Sequence, residues 1–156
     1  MNRRAAIYAG LAAGTIATLA QLVLWAAYTD ALPSILYRDA RFAAAIVMGR
    51  SVLPPPADLD PRVMIVATLV HFALSVLYAG VLAAAIAHRS TRTSLVCGAL
   101  FGAALYAVNM YVFTYLFPWF QASRDPITLA AHVVFGVSAA AVYRWTAGRS
   151  PRSGLR

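Results

Sequence analysis

Two histidines stand inside runs that are otherwise apolar: His71 within TLVHFALSVLYAG (Thr68–Gly80) and His132 within TLAAHVVFGVSAAAVY (Thr128–Tyr143). A neutral imidazole offers one donor and one acceptor nitrogen and can ligate a metal, which nothing around it in those runs can do. Two further apolar runs each carry one carboxamide, Gln21 and Asn109, and each carboxamide follows a glycine pair at the same spacing. The patterns are Gly10-x3-Gly14-x6-Gln21 and Gly98-x3-Gly102-x6-Asn109.

Three kinds of chemistry fit these residues. His, Gln and Asn can tie helices together by hydrogen bonds, at about 0.6 kcal/mol per contact, while the glycines let backbones approach. They can line a pocket for a small ligand. Or His71 and His132 can supply the two axial nitrogens of a b-type haem in an electron carrier. A copper or zinc site would need a third strong ligand beside His71 and His132, with only Met64 or Met110 at hand. No Ser-His-Asp or metalloprotease spacing occurs, and a local polar contact accounts for Ser75 one turn from His71, so the residues argue against an enzyme.

The elements that position these residues follow from composition. Of the 156 residues, 62% are hydrophobic and 12% charged, which places the chain in a membrane. Four runs reach the ~20 residues that cross a hydrocarbon core: residues 5–28, 63–87, 94–117 and 127–147. The expected fold is all-α, an integral membrane four-helix bundle in contact with lipid, with a tail over 148–156. MNRR before the first run resembles the start of a signal peptide, but the run exceeds the usual 7–15-residue core and is expected to stay as a helix. Between the first two spans, Ser34–Leu53 places Ile35, Phe42, Ile46 and Leu53 on one side and Arg38, Arg41 and Arg50 elsewhere. This predicts an amphipathic helix, ended by Pro54-Pro55-Pro56, that lies on the outer surface or caps the bundle. Asp60-Pro61 and Asp125-Pro126 are helix starts, and the short turn HRSTRT predicts antiparallel neighbours on either side.

Charge then orients the bundle. With the N-terminus inside, the inner segments hold Arg3, Arg4, Arg89, Arg92, Arg144, Arg149, Arg152 and Arg156 and no acid. The outer loops balance five arginines against five aspartates. The positive-inside rule therefore puts both termini in the cytoplasm. The arginines flank helix ends and form no basic domain, so the high net charge of +8 points to lipid headgroups and not to nucleic acid. His88 belongs to this inner interface. Cys97, the single cysteine, has no intrachain partner for a disulfide.

Rise and rotation bring the polar residues together. Counted from the outer ends at 1.5 Å per residue, Gln21, Asn109, His71 and His132 lie at roughly 8–12 Å depth, in one layer. Gly10, Gly14, Gln21 and Tyr28 share one stripe of the first span. Thr68, His71, Ser75 and Tyr78 share one of the second, and Thr128, His132, Gly136 and Tyr143 one of the fourth. An amide or imidazole facing lipid would leave donors and acceptors unpaired, so the stripes are expected to face inward. By the same count, the glycines lie one to three turns deeper than the histidines. The matched glycine and carboxamide patterns also predict two duplicated helical hairpins related by an axis along the membrane normal. No carboxylate is embedded in a span, which argues against proton- or cation-coupled transport by one chain, although a transport subunit in a homo-oligomer or larger membrane complex stays open.

The stretches GLAAGTIATLAQLVLW, RDARFAAAIVMGRSVLPPP, TLVHFALSVLYAG and LFPWF with RDPITLAAHVVFGVSAAAVYR resemble, over nearly the whole chain, a group of small proteobacterial inner-membrane proteins. This group is distantly similar to the YagU-like family of unknown function. The resemblance implies an accessory or small-ligand-binding membrane protein and transfers no catalytic residue. Sequences of this kind sometimes bear the label sodium:proline symporter, which implies many more helices and an unwound sodium site that four uninterrupted spans cannot supply.

Overall fold

In the computed structural model, which describes residues 1–149, four helices are long and apolar enough to cross a membrane. They are α1 (Arg3–Tyr28), α3 (Pro61–Ile86), α4 (Thr91–Ala107) with its irregular extension to Tyr115, and α5 (Pro126–Arg149). A shorter α2 (Ser34–Met48) sits between α1 and α3. The expected tail lies outside the described residues from position 150 on. Positions 148 and 149 still belong to α5.

Local chemistry sets the helix starts. The Asn2 side chain accepts from the Ala5 amide, Asp60 from those of Arg62 and Val63, and Asp125 from that of Thr128. Each satisfies amides that have no partner within the helix. The prolines at 61 and 126 occupy first-turn positions, where a missing amide hydrogen costs nothing. Ser90 caps α4 through the Thr93 amide, so this helix begins three residues before the expected Ser94.

α2 ends earlier than the three prolines would dictate. Gly49 adopts φ +83°, a conformation favoured by glycine, and its amide donates to the Ala45 carbonyl. Residues 50–52 then form a separate 3₁₀ turn. Arg41, expected on the solvated side, is instead 8% exposed. Its guanidinium donates to the carbonyls of Val52 and Asp58 and pairs with the Asp58 carboxylate, pinning the loop that leads into α3. Helical periodicity could not reveal this, because the partners lie 11 and 17 residues downstream.

The helices order themselves as α3, α1, α5, α4, with extensive packing at each step of that series. Two seams of close backbone approach define it. A Cβ placed on Gly10 would lie 2.6 Å from the Val76 Cα, and one on Gly14 2.8 Å from the Ser75 Oγ, so α1 lies tightly on α3. A Cβ on Gly98 would lie 2.4 Å from the Gly136 carbonyl oxygen, and one on Gly102 2.2 Å from that of His132. Between the seams, alanines carry the α1–α5 contact: Ala5, Ala9, Ala13 and Ala17 join Ala139, Ala140 and Phe135 in one cluster. Lipid is as apolar as leucine, so close van der Waals fit binds these helices where exclusion of water cannot. The opposite faces present Ile7, Leu11, Ile16, Val23, Leu69, Leu77 and Leu100, a belt suited to acyl chains.

The expected neighbours α3 and α4 scarcely pack, despite the short turn that joins them. Each is drawn to its own glycine seam, and the pair diverges toward the end that carries α2. There α2 and the 3₁₀ segment Pro118–Ser123 form a cap. The Trp119 indole donates to the Phe42 carbonyl at 3.0 Å, and Phe42 meets Phe120 edge-on. Asp39 accepts from Arg38 and from the Ser123 hydroxyl. At the opposite end the Asn2 amide donates to the Tyr143 hydroxyl, which sets the start of α1 beside the end of α5.

Two outcomes follow. Gly136→Ala should cost about 1–3 kcal/mol through overpacking, whereas Gly80→Ala, where a Cβ meets nothing, should be neutral or stabilising by up to about 1 kcal/mol; denaturant unfolding in detergent compares them. Burial raises the Asp39 carboxyl above its ordinary value of 3.8, against the opposing Arg38. A raised folded-state pKa contributes stability below the unfolded value and loses it as pH rises. Wild type should therefore gain stability relative to Asp39→Asn as the solution is acidified from neutral, as paired unfolding curves would register.

Candidate functional site

Divergence of α3 from α4 leaves a cavity of about 310 Å³ in the half of the bundle nearer α2. Thr18 and Gln21 come from α1, His71, Ser75 and Tyr78 from α3, Asn109 from the end of α4 and His132 from α5. The remaining wall is apolar, mostly aliphatic with Phe113, Phe117, Phe120 and Phe135 among it, and Ile46 of α2 lines it from the capped end. α3 and α4, which scarcely pack, flank one side of the cavity.

A directed chain of hydrogen bonds crosses from α3 to α5. The Tyr78 hydroxyl donates to Asn109 Oδ1 at 3.2 Å, and Asn109 Nδ2 lies 3.3 Å from His132 Nε2. His132 Nδ1 lies 2.8 Å from the Thr128 carbonyl, which can only accept. The imidazole proton therefore sits on Nδ1, and Nε2 accepts from the Asn109 amide. Gln21 donates weakly, at 3.4 Å, to the Thr128 hydroxyl, which itself donates to the Asp125 carboxylate. The helix start of α5 thus orients His132 from below, and Asn109 orients it from the side.

His71 takes the opposite tautomer. Its Nε2 is 3.3 Å from both the Gly14 carbonyl and the Thr18 hydroxyl oxygen. The carbonyl accepts only, so the proton is on Nε2. Nδ1 is left as an acceptor with no partner among the described residues.

Asn109 reaches the cavity through an interruption that the sequence did not announce. α4 stops at Ala107, and Val108–Val112 form a π-turn followed by the 3₁₀ turn Phe113–Tyr115. The expectation that the third run forms a continuous helix over 94–117 is corrected accordingly. A π-turn frees carbonyls from the regular ladder, and such turns recur at functional sites. Here Arg124 answers the change: its Nε donates to the Met110 carbonyl at 2.6 Å, its Nη2 to the Thr114 hydroxyl at 2.9 Å, and the guanidinium lies over the Tyr111 ring. Counting outer arginines for topology concealed this role, because only the fold brings residue 124 back onto residue 110.

The structure brings together six of the residues singled out from the sequence. Gln21, His71, Ser75, Tyr78, Asn109 and His132 line one cavity. Tyr28 is not part of it, being 77% exposed past the stripe. Thr68 is also exposed and donates to the Met64 carbonyl of its own helix. Thr18, which the sequence did not single out, joins the layer because Gly14 lets α3 approach that turn of α1. The glycines do not lie wholly deeper than the histidines: Gly14 is level with His71, and Gly102 abuts the His132 backbone. Depth counted from run ends presumed a common plane that helices with offset starts do not share.

A bis-histidine haem is not accommodated by this arrangement. Asn109 covers the His132 Nε2 lone pair, and the space at the glycines is filled by atoms of the facing helix instead of opening a slot for a macrocycle. Among the described residues, no group of three His, Cys, Asp or Glu could hold a metal ion. The chain matches no family model, no curated protein and no solved structure.

Arg124→Ala should cost about 2–3 kcal/mol, since charge-assisted bonds to the π-turn are lost together, and Arg124→Lys should restore little of it because a lysine lacks the planar fork. Unfolding in detergent gives the cost. The amide exchange of residues 108–112, faster in both variants, locates it.

Proposed function

We propose that this is a bacterial inner-membrane protein, with both termini cytoplasmic, that binds a small ligand in the cavity at its polar layer and serves an accessory role. The observation that carries the reading is His71: a half-buried imidazole whose proton is committed to Gly14 and whose Nδ1 has no partner among the described residues, on the wall of a cavity of ligand size. A bundle that needed its polar residues only as ties would be expected to close over them. The proximity of Asn2 to Tyr143 and the arginine-rich inner segments support the orientation. The two seams support an origin by duplication, because in each the second glycine of the pair faces the histidine turn of its partner helix. The chain-long resemblance to small proteobacterial inner-membrane proteins distantly like the YagU-like family agrees with this reading.

Protein purified in mild detergent should release one small molecule per chain on denaturation, identified by mass spectrometry, and show no Soret band. His71→Phe and Asn109→Leu variants that keep their helical circular dichroism should release much less. A wild-type preparation that carries nothing, with variants altered in stability alone, would return the layer to helix packing.

A further inference from the structure

We propose that the cavity takes a lipid-soluble hydroquinone-type molecule, a flat ring with hydroxyl groups on an apolar tail, which enters sideways from the bilayer between α3 and α4. This rests on the ligand-binding reading above and names its ligand class and route.

The head is defined by what the wall lacks. His71 Nδ1 needs a donor, so a ligand bearing only ether, ester or ketone oxygens leaves it unmatched. Asn109 Nδ2 spends one hydrogen on His132 and keeps a second, and Gln21 Nε2 likewise keeps one beyond its bond to Thr128. A hydroxyl that donates to His71 while accepting from an amide satisfies both requirements. No Asp, Glu, Lys or Arg lines the cavity. An anionic headgroup, whether phosphate or fatty carboxylate, would find no counter-charge there and is disfavoured.

The body is defined by the rest of the wall. Phe113, Phe117, Phe120 and Phe135 offer ring faces and edges to a flat π-system, and about 310 Å³ lies at the lower end of the roughly 300–1,000 Å³ typical of small-molecule pockets. That volume suits one ring with part of its tail.

The route is defined by the gap. α2 and the 118–123 segment cover the outer end, and the glycine seams close the α1–α3 and α4–α5 sides. The side left is between α3 and α4, where Val70 and Leu74 on α3 and Met110 and Phe113 beyond α4 line the cavity. Outside it stand Leu69, Leu77, Val112 and Leu116, all exposed, so the approach lies in hydrocarbon. The Tyr78–Asn109 hydrogen bond spans this mouth as a latch, and the π-turn that carries Asn109 supplies a segment whose register can shift as it opens.

The test uses the full chain in nanodiscs under argon, with decylubiquinol, decylubiquinone and water-soluble hydroquinone as probes in saturation binding. One decylubiquinol per chain is expected, with the quinone about tenfold weaker because it cannot donate to His71. His71→Phe should erase that preference, and Leu74→Trp, which fills the cavity from α3, should abolish binding of both; unfolding curves confirm that each variant is folded. Should His71→Phe fail to fold, Leu74→Trp alone still decides whether the cavity is the site. Absence of saturable decylubiquinol binding, or a preference that survives in folded His71→Phe, overturns the proposal. Hydroquinone binding as tightly as the decyl compound overturns the sideways route. If no probe binds yet the purified protein carries another molecule, this ligand class falls while the ligand-binding reading stands; if it carries nothing, both fall.

Discussion

Two seams of backbone-to-backbone contact govern this molecule. In lipid, apolar surface gains nothing by meeting apolar surface in place of acyl chains, so helices hold together where they fit closely enough to exceed lipid in dispersion contact. Gly98, Gly102 and Gly136 give α4 and α5 that fit, and Gly10 and Gly14 give it to α1 and α3. The alanine faces of α1 and α5 join the two pairs. Once α3 is committed to α1 and α4 to α5, these two cannot also close on each other. The cavity is the consequence of where the glycines are.

That geometry explains why the polar residues differ in state although they share a layer. His132 sits where α4 is near, and Asn109 therefore reaches its Nε2. His71 sits on the α1 side, where the close approach of Gly14 exposes a carbonyl that takes its Nε2 proton. Opposite tautomers follow from which backbone each ring meets. The same seams account for the poor fit of haem: glycines that admit a facing helix have no room left for a porphyrin.

The outer end shows how charged residues serve a membrane bundle without entering it. Arg41 pins the loop before α3, Arg38 and Asp39 tie α2 to the segment before α5, and Arg124 holds the irregular end of α4. Each guanidinium meets backbone carbonyls or carboxylates that would otherwise be unpaired near lipid. The cap and the π-turn are thereby built from the loops, and they set the roof and one wall of the cavity.

Much of this protein was legible in its residues alone. Runs of apolar side chains can avoid unpaired backbone only as helices, so four spans and the all-α fold follow from composition. Asp60-Pro61 and Asp125-Pro126 marked helix starts because capping is local, and the inward stripes placed Gln21, His71, Asn109 and His132 in one layer because helical rotation is fixed. What periodicity does not contain is which helix each stripe will meet. The divergence of α3 from α4, the glycines' partners, the tautomers of the histidines, the burial of Arg41 and the hold of Arg124 on the π-turn all depend on groups far apart in the chain. Those contacts are selected by the fit of whole helix surfaces, and only the tertiary structure decides them.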